Sequence, residues 1–162
     1  MTVKDVLTER VTTCQTETNL AVASAMMWEK DCGVLPVLNE MGELTGILTD
    51  RDICIALGTR NSRPSEVTAR EVMVSSPVTC RPTDDIRAAL LIMRNAKIRR
   101  LPVVGEDGLL EGIVSLGDIL FNARRGLVVA GTTTGVPSGE LVAALQAIYS
   151  RADQIATQSV AA

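Results

Sequence analysis

The chain of 162 residues carries 16 Lys and Arg against 19 Asp and Glu, a formal charge of −3 that excludes a strongly basic nucleic-acid binder. It is 46% apolar and 22% charged, a balance that fits a folded core of single-domain size and leaves no case for wholesale disorder. Trp28, Phe121 and Tyr149 are its only aromatic residues and His is absent. Stacking platforms for single-stranded nucleic acid are therefore lacking, as are the commonest general base, the Ser-His-Asp and Cys-His arrangements and the usual His-containing zinc sites.

Taken in order, Met1 to Arg10 carries charges where a signal peptide needs an apolar run, and no apolar stretch reaches the roughly 18 residues that span a bilayer. Cys14, Cys32, Cys54 and Cys80 form no CxxC pair, so they read as reduced thiols of a soluble, cytoplasmic protein without membrane contact. A short strand is expected at Val11 to Cys14. Leu20, Ala23 and Met27 recur at helical spacing behind Thr18 or Asn19 as the cap. Val34 to Leu38 reads as a strand, Asn39 to Gly42 as a turn, and a second strand ends at Thr49, where another helix begins. Gly58 to Ser65 is a short polar loop.

The same order then returns. A strand at Val78 to Cys80 precedes a helix marked by Ile86, Leu90 and Met93, capped by Thr83 or Asp84. Leu101 to Val104 is a strand, Gly105 to Gly108 a turn, and a further strand ends at Ser115 before a last helix of the pattern. Gly126 to Gly139 reads as a loop. Leu141, Leu145, Ile148, Ala152 and Ile155 behind Ser138 predict a terminal amphipathic helix.

Val3 to Cys54 aligns without a gap on Ala69 to Leu120 at a constant offset of 66, with 15 identities over 52 residues. Two copies, and no more, predict a pair of units related by a pseudo-twofold axis. One half alone would leave an apolar sheet face open, so the two small sheets are expected to pack together, flanked by helices. The fold class is α/β in the α+β sense.

The blocks at Arg99 to Val104 (RRLPVV), Gly108 to Leu120 (GLLEGIVSLGDIL) and Met41 to Ile53 (MGELTGILTDRDI) resemble the cystathionine beta-synthase (CBS) domain, and the pair resembles a Bateman module. The resemblance implies a module over residues 1–125, with repeat 1 at about 3–58, repeat 2 at about 68–123 and a loop plus C-terminal helix over 126–162. It further implies a non-catalytic regulator that binds AMP, ADP or ATP, with S-adenosylmethionine or a dinucleotide as alternatives, in clefts between the repeats. No cofactor is required. Two modules are expected to form a homodimer, with Leu20, Met26, Met27, Ile53, Ile86, Ile92, Met93 and Ile119 as surplus apolar helix surface, and to act on an unknown effector protein.

The site residues follow from that resemblance. Thr49-x-x-Asp52 and Ser115-x-x-Asp118 stand where a strand enters a helix; there the hydroxyl and acid form a capping box, while an ionised carboxylate also suits the two hydroxyls of a ribose. Arg99 and Arg100 offer fixed forks of donors to phosphate, and repeat 1 carries Gly33 and Val34 in their place. The family's cross-repeat arrangement groups Thr49 and Asp52 with Val78, Arg99 and Arg100, and Ser115 and Asp118 with Thr12, Gly33 and Val34. A partner-binding dimer with empty clefts and a thiol redox regulator are the competing classes.

Overall fold

The computed structural model describes residues 1–126 and 136–159, with side chains through 122 and from 136 to 149. Residues 127–135, most of the expected Gly126 to Gly139 loop, and the side chains of Ala152 and Ile155 lie outside the described residues. Among the described residues the fold is mixed α/β, with five α-helices and small sheets, and it divides into two compact units.

The repeat-1 unit comprises Arg10–Pro77 and Val104–Leu110. Its four-stranded sheet has the order β1 (Cys14–Gln15), β2 (Val34–Leu38), β3 (Leu44–Thr49), β4 (Val74–Ser75). The β1–β2 pair is parallel, with Cys14 opposite Val37, and the others are antiparallel. The strand expected from Val11 thus begins only at Cys14. Helices α1 (Leu20–Glu29) and α2 (Asp50–Arg60) contribute to the core. Asn19 caps α1 by accepting from the Val22 N–H at 3.0 Å, while Thr18 Oγ1 accepts from Gln15 N–H instead. Gly42, at φ +83°, closes the hairpin in a conformation that side chains disfavour. Gly58 falls within α2, so the polar connection starts at its left-handed cap, Asn61.

The repeat-2 unit comprises Met1–Glu9, Val78–Val103 and Glu111–Ala162. It holds α3 (Ile86–Ala96), the paired strands β5 (Arg100–Val104) and β6 (Leu110–Ser115) up to the hairpin tip, α4 (Leu116–Gly126) and α5 (Ser138–Ser159). The cap of α3 is Asp85, which accepts from Arg87 N–H at 2.8 Å, rather than Thr83 or Asp84; Asp84 is engaged by Arg81 N–H. The expected strand at Val78 to Cys80 reduces to one parallel bridge, Cys80 to Val103, the offset-66 match of Cys14 to Val37. The first nine residues join this unit through Val3 N–H to Asp84 O (2.9 Å) and the antiparallel bridge of Thr8 to Ile113. Gly112 is required there, because a Cβ would strike the Thr8 carbonyl.

Each unit encloses its own core. Leu20, Met27, Leu35, Val37, Leu48 and Ile53 fill one; Ile86, Leu90, Met93, Leu101, Val103 and Ile119 fill the other, closed by Leu141, Ala144 and Ile148 of α5. This corrects the argument for surplus helix surface. Leu20, Met27, Ile53, Ile86, Met93 and Ile119 are buried inside their units, and Met26 and Ile92 partly so. The exposed apolar side chains are others, among them Val22, Trp28, Ile55, Leu91 and Val142.

Burial also sets the cysteine chemistry. Desolvation pushes the thiols of Cys14 and Cys80 up to about 11 from an ordinary 9.0, with Asp84 adding to the shift at Cys80. At pH 8, iodoacetamide should modify exposed Cys54 and spare Cys14 and Cys80 until the chain unfolds, as peptide mass mapping will read. Above pH 9 the unfolded chain ionises these two thiols first, so stability held below pH 9 should decline as the pH approaches 11.

Candidate functional site

The two strand-to-helix junctions share one geometry. Asp52 Oδ2 accepts from the Thr49 N–H (3.1 Å) and hydroxyl (2.6 Å), and the Thr49 Oγ1 accepts in return from Asp52 N–H at 3.2 Å. Sixty-six residues on, Asp118 Oδ2 accepts from Ser115 N–H (2.8 Å) and hydroxyl (2.6 Å), and Ser115 Oγ accepts from Asp118 N–H at 3.1 Å. Both are capping boxes. One oxygen of each carboxylate is thereby fixed, and the other, Oδ1, accepts no hydrogen bond among the described residues. Asp52 and Asp118 are half-buried, so that second oxygen is held at a set orientation with acceptor capacity to spare.

Capping alone does not make such a site. Thr2 with Asp5 and Thr68 with Glu71 form two more boxes, again 66 apart, at single turns of 3-10 helix. Hydrogen bonds from the backbone N–H and hydroxyl of Thr2 hold the Asp5 carboxyl below its ordinary value, and those of Thr68 act likewise on Glu71. What distinguishes Asp52 and Asp118 is the strand beside them.

In the repeat-1 unit, Val34 pairs with Thr49, and Asp50 N–H donates to the Gly33 carbonyl at 3.3 Å. In the repeat-2 unit, Leu116 N–H donates to the Arg99 carbonyl at 2.8 Å. The predicted residues therefore sort by repeat: Thr12, Gly33, Val34, Thr49 and Asp52 in one unit, Val78, Arg99, Arg100, Ser115 and Asp118 in the other. Arg99 thus has Leu116, the residue after Ser115, as its backbone neighbour, because the β5–β6 hairpin returns the chain beside its own start. The grouping of the arginines with Thr49 and Asp52 spans both units. Arg99 and Arg100 are exposed, and no ion pair among the described residues engages them.

Sequence reasoning missed Asp50. A Cβ on Gly33 would lie 2.8 Å from Asp50 Oδ2, so the carboxylate rests against the glycine backbone at the position where repeat 2 carries Arg99. Beside it opens a groove of about 380 Å³ lined by Met27, Trp28, Asp31, Cys32, Gly33 and Asp50, among others. The signal was present in the duplication: Asp50 and Ser24, both exposed, align with Leu116 and Leu90, both buried.

A family profile described as the CBS domain matches residues 3–59 and again 69–125. The chain belongs to the CBS-domain family. It is 37% identical over 120 residues to the CBS domain-containing protein YhcV of Bacillus subtilis, covering 74% of this chain and 84% of that protein. It is 36% identical over 110 residues to the uncharacterized protein MK0525 of Methanopyrus kandleri, covering 68% of this chain and 56% of the relative, so it spans little more than half of that protein's length. Among solved structures, the Arabidopsis thaliana CBS-pair protein CBSX2 in complex with AMP is similar at a TM-score of 0.69 and 28% identity, covering 76% of this chain and 96% of that one. The CBS domain pair of protein MJ0100, in complex with 5′-methylthioadenosine and S-adenosyl-L-methionine, is similar at a TM-score of 0.69 and 27% identity, covering 76% and 98%. Like these CBS pairs, the chain has two tandem repeats of one motif set. Among the described residues, no helix is long and apolar enough to cross a membrane.

Proposed function

We propose that this CBS pair is a non-catalytic regulatory module, acting in the cytoplasm, that binds adenosine ligands and passes their occupancy to an effector protein by a change of conformation or assembly. The observation that carries the reading is the spare carboxylate oxygen of Asp52 and Asp118, fixed by a capping box next to Gly33-Val34 in one repeat and Arg99-Arg100 in the other. In it, Asp52 and Asp118 accept from ribose hydroxyls, Arg99 and Arg100 hold phosphate, and Thr12 and Val78 flank the ligand from matched positions. The AMP, 5′-methylthioadenosine and S-adenosylmethionine held by related CBS pairs support this ligand class. Self-association belongs to the same reading and is assigned to the exposed Val22, Trp28 and Ile55 of α1 and α2, since the residues first considered are spent in the cores.

Calorimetric titration with AMP and ATP tests it. Wild type should bind, and Asp52→Ala should weaken nucleotide binding at the better site by at least ~1.5 kcal/mol, the low end for a hydrogen bond to a charged group. Asp118→Ala should do the same for whatever adenosine compound occupies the other site. Circular dichroism will establish that each variant is folded without its cap. Unchanged affinity in both variants would leave the carboxylates as helix caps and nothing more.

A further inference from the structure

We propose that the exposed surface at the C-terminal end of α1 pairs with the same surface of a second copy of this chain, each copy's Trp28 seated in the groove of the other. The inference rests on the assignment of self-association to the helices of repeat 1, and it adds which side chain enters which surface. Trp28 is the only tryptophan of the chain and stands 88% exposed. It borders the groove of about 380 Å³, whose lining includes apolar Met27 and Ile53 and acidic Asp31 and Asp50. An indole is an apolar plate with a single N–H donor, which needs an acceptor once it leaves water. The groove supplies both halves of that match, apolar side chains for the ring and carboxylates for the N–H. Ser24, also in the lining, already donates its hydroxyl to the Leu20 carbonyl at 2.7 Å, so a partner that covers it strands no polar group.

Charge selects a second copy as the occupant. At the end of α1 and the start of α2, Glu29, Asp31 and Asp50 are anionic while Lys30 and Arg51 are cationic; all five residues are exposed, and no ion pair among the described residues engages them. A nucleic acid or an anionic lipid surface would be repelled by the three carboxylates, and a partner of one charge sign would leave the opposite sign unmatched. A twofold-related copy carries both signs in the same numbers, and it can bring its Lys30 and Arg51 to the other's Asp31 and Asp50 and receive the same in return. Repeat 2 does not reproduce this surface. At the matched positions Arg94 replaces Trp28 and Leu90 replaces Ser24, and Leu90 is buried in one core with Leu141, Ala144 and Ile148 of α5. The contact therefore belongs to repeat 1 alone.

Sedimentation equilibrium of the full chain, joined to the fluorescence of its single tryptophan, tests the assignment. Wild type should be a dimer at micromolar concentration, and dilution through the dissociation range should shift the Trp28 emission to the red and raise its quenching by acrylamide. Trp28→Ala, at a position outside the cores, should weaken the dimer at least tenfold, as loss of a central aromatic anchor does. Lys30→Glu with Arg51→Glu should also weaken it, and added salt should weaken the wild-type dimer. Leu91→Ser, at a half-exposed position on α3, should leave association unchanged. A monomer throughout, a dimer whose Trp28 emission is the same before and after dilution, or one that survives the Trp28 substitution or the charge reversal intact overturns the proposal, and dissociation by Leu91→Ser overturns its restriction to repeat 1. None of these outcomes touches the adenosine titrations, whose failure would in turn leave the dimer standing.

Discussion

Replacing Leu141 or Ile148 by Ala is expected to lower the unfolding free energy of the repeat-2 unit by about 2–5 kcal/mol each, the range for truncating a buried aliphatic side chain. Both residues are 7% exposed, on the face of α5 that packs with Ile86, Leu90 and Met93 of α3, and Ala144 between them is fully buried. The terminal helix is thus part of the core and not a tail. The two losses should combine to less than their sum, because they share neighbours and the first already loosens the helix. Val142 is half exposed on the same helix, and Val142→Ala should stay within about 0.5 kcal/mol of wild type. Urea unfolding followed by circular dichroism gives the comparison. Equal midpoints for Leu141→Ala and Val142→Ala would show that α5 does not stabilise the unit.

The second large effect is expected at the basic pair. Arg99→Gln with Arg100→Gln should weaken AMP and ATP by at least tenfold relative to adenosine, since each lost charge-assisted hydrogen bond is worth about 1.5–3 kcal/mol. The guanidinium groups lie on exposed residues, so the advantage of ATP over AMP in wild type should shrink as salt is raised, and the double variant should show little salt dependence. Titrations at two ionic strengths settle it. If the phosphate preference survives the double substitution intact, the pair is surface decoration at the start of β5.

The duplication, the two long helices, both hairpins and the hydroxyl-acid junctions were legible because each has a local cause: helical spacing of Leu20, Ala23 and Met27, a glycine at the tip of each turn, a hydroxyl three residues before an acid. What was not legible depends on distant partners. Val74–Ser75 is a strand only because β3 runs beside it, and its two exposed residues carry no alternation to read. Thr83, Asp84 and Asp85 all favour a helix start; Asp85 becomes the cap because Arg81 N–H already engages Asp84. The apolar residues of α1 and α3 looked like surplus until α5 and the short turns around Val3 and Ala69 took their places in the cores. In the candidate site, Thr49, Asp52, Ser115 and Asp118 were found from the motif, whereas the nearness of Asp50 to Gly33 follows from a hairpin register that spacing alone does not specify.

The attachment of Met1–Glu9 to the repeat-2 unit bears on the order in which the chain acquires its structure. Arg10–Pro77 is nearly continuous within its unit and can form most of its pairings soon after it is made. The nine residues before it have no such option. Val3 awaits Asp84, and Thr8 awaits Ile113, so their hydrogen bonds form only after most of the polypeptide has emerged and the entropy of closing that long segment has been overcome. During synthesis Met1–Glu9 therefore waits for the second repeat, and a chain interrupted between the repeats would leave these hydrogen bonds unmade.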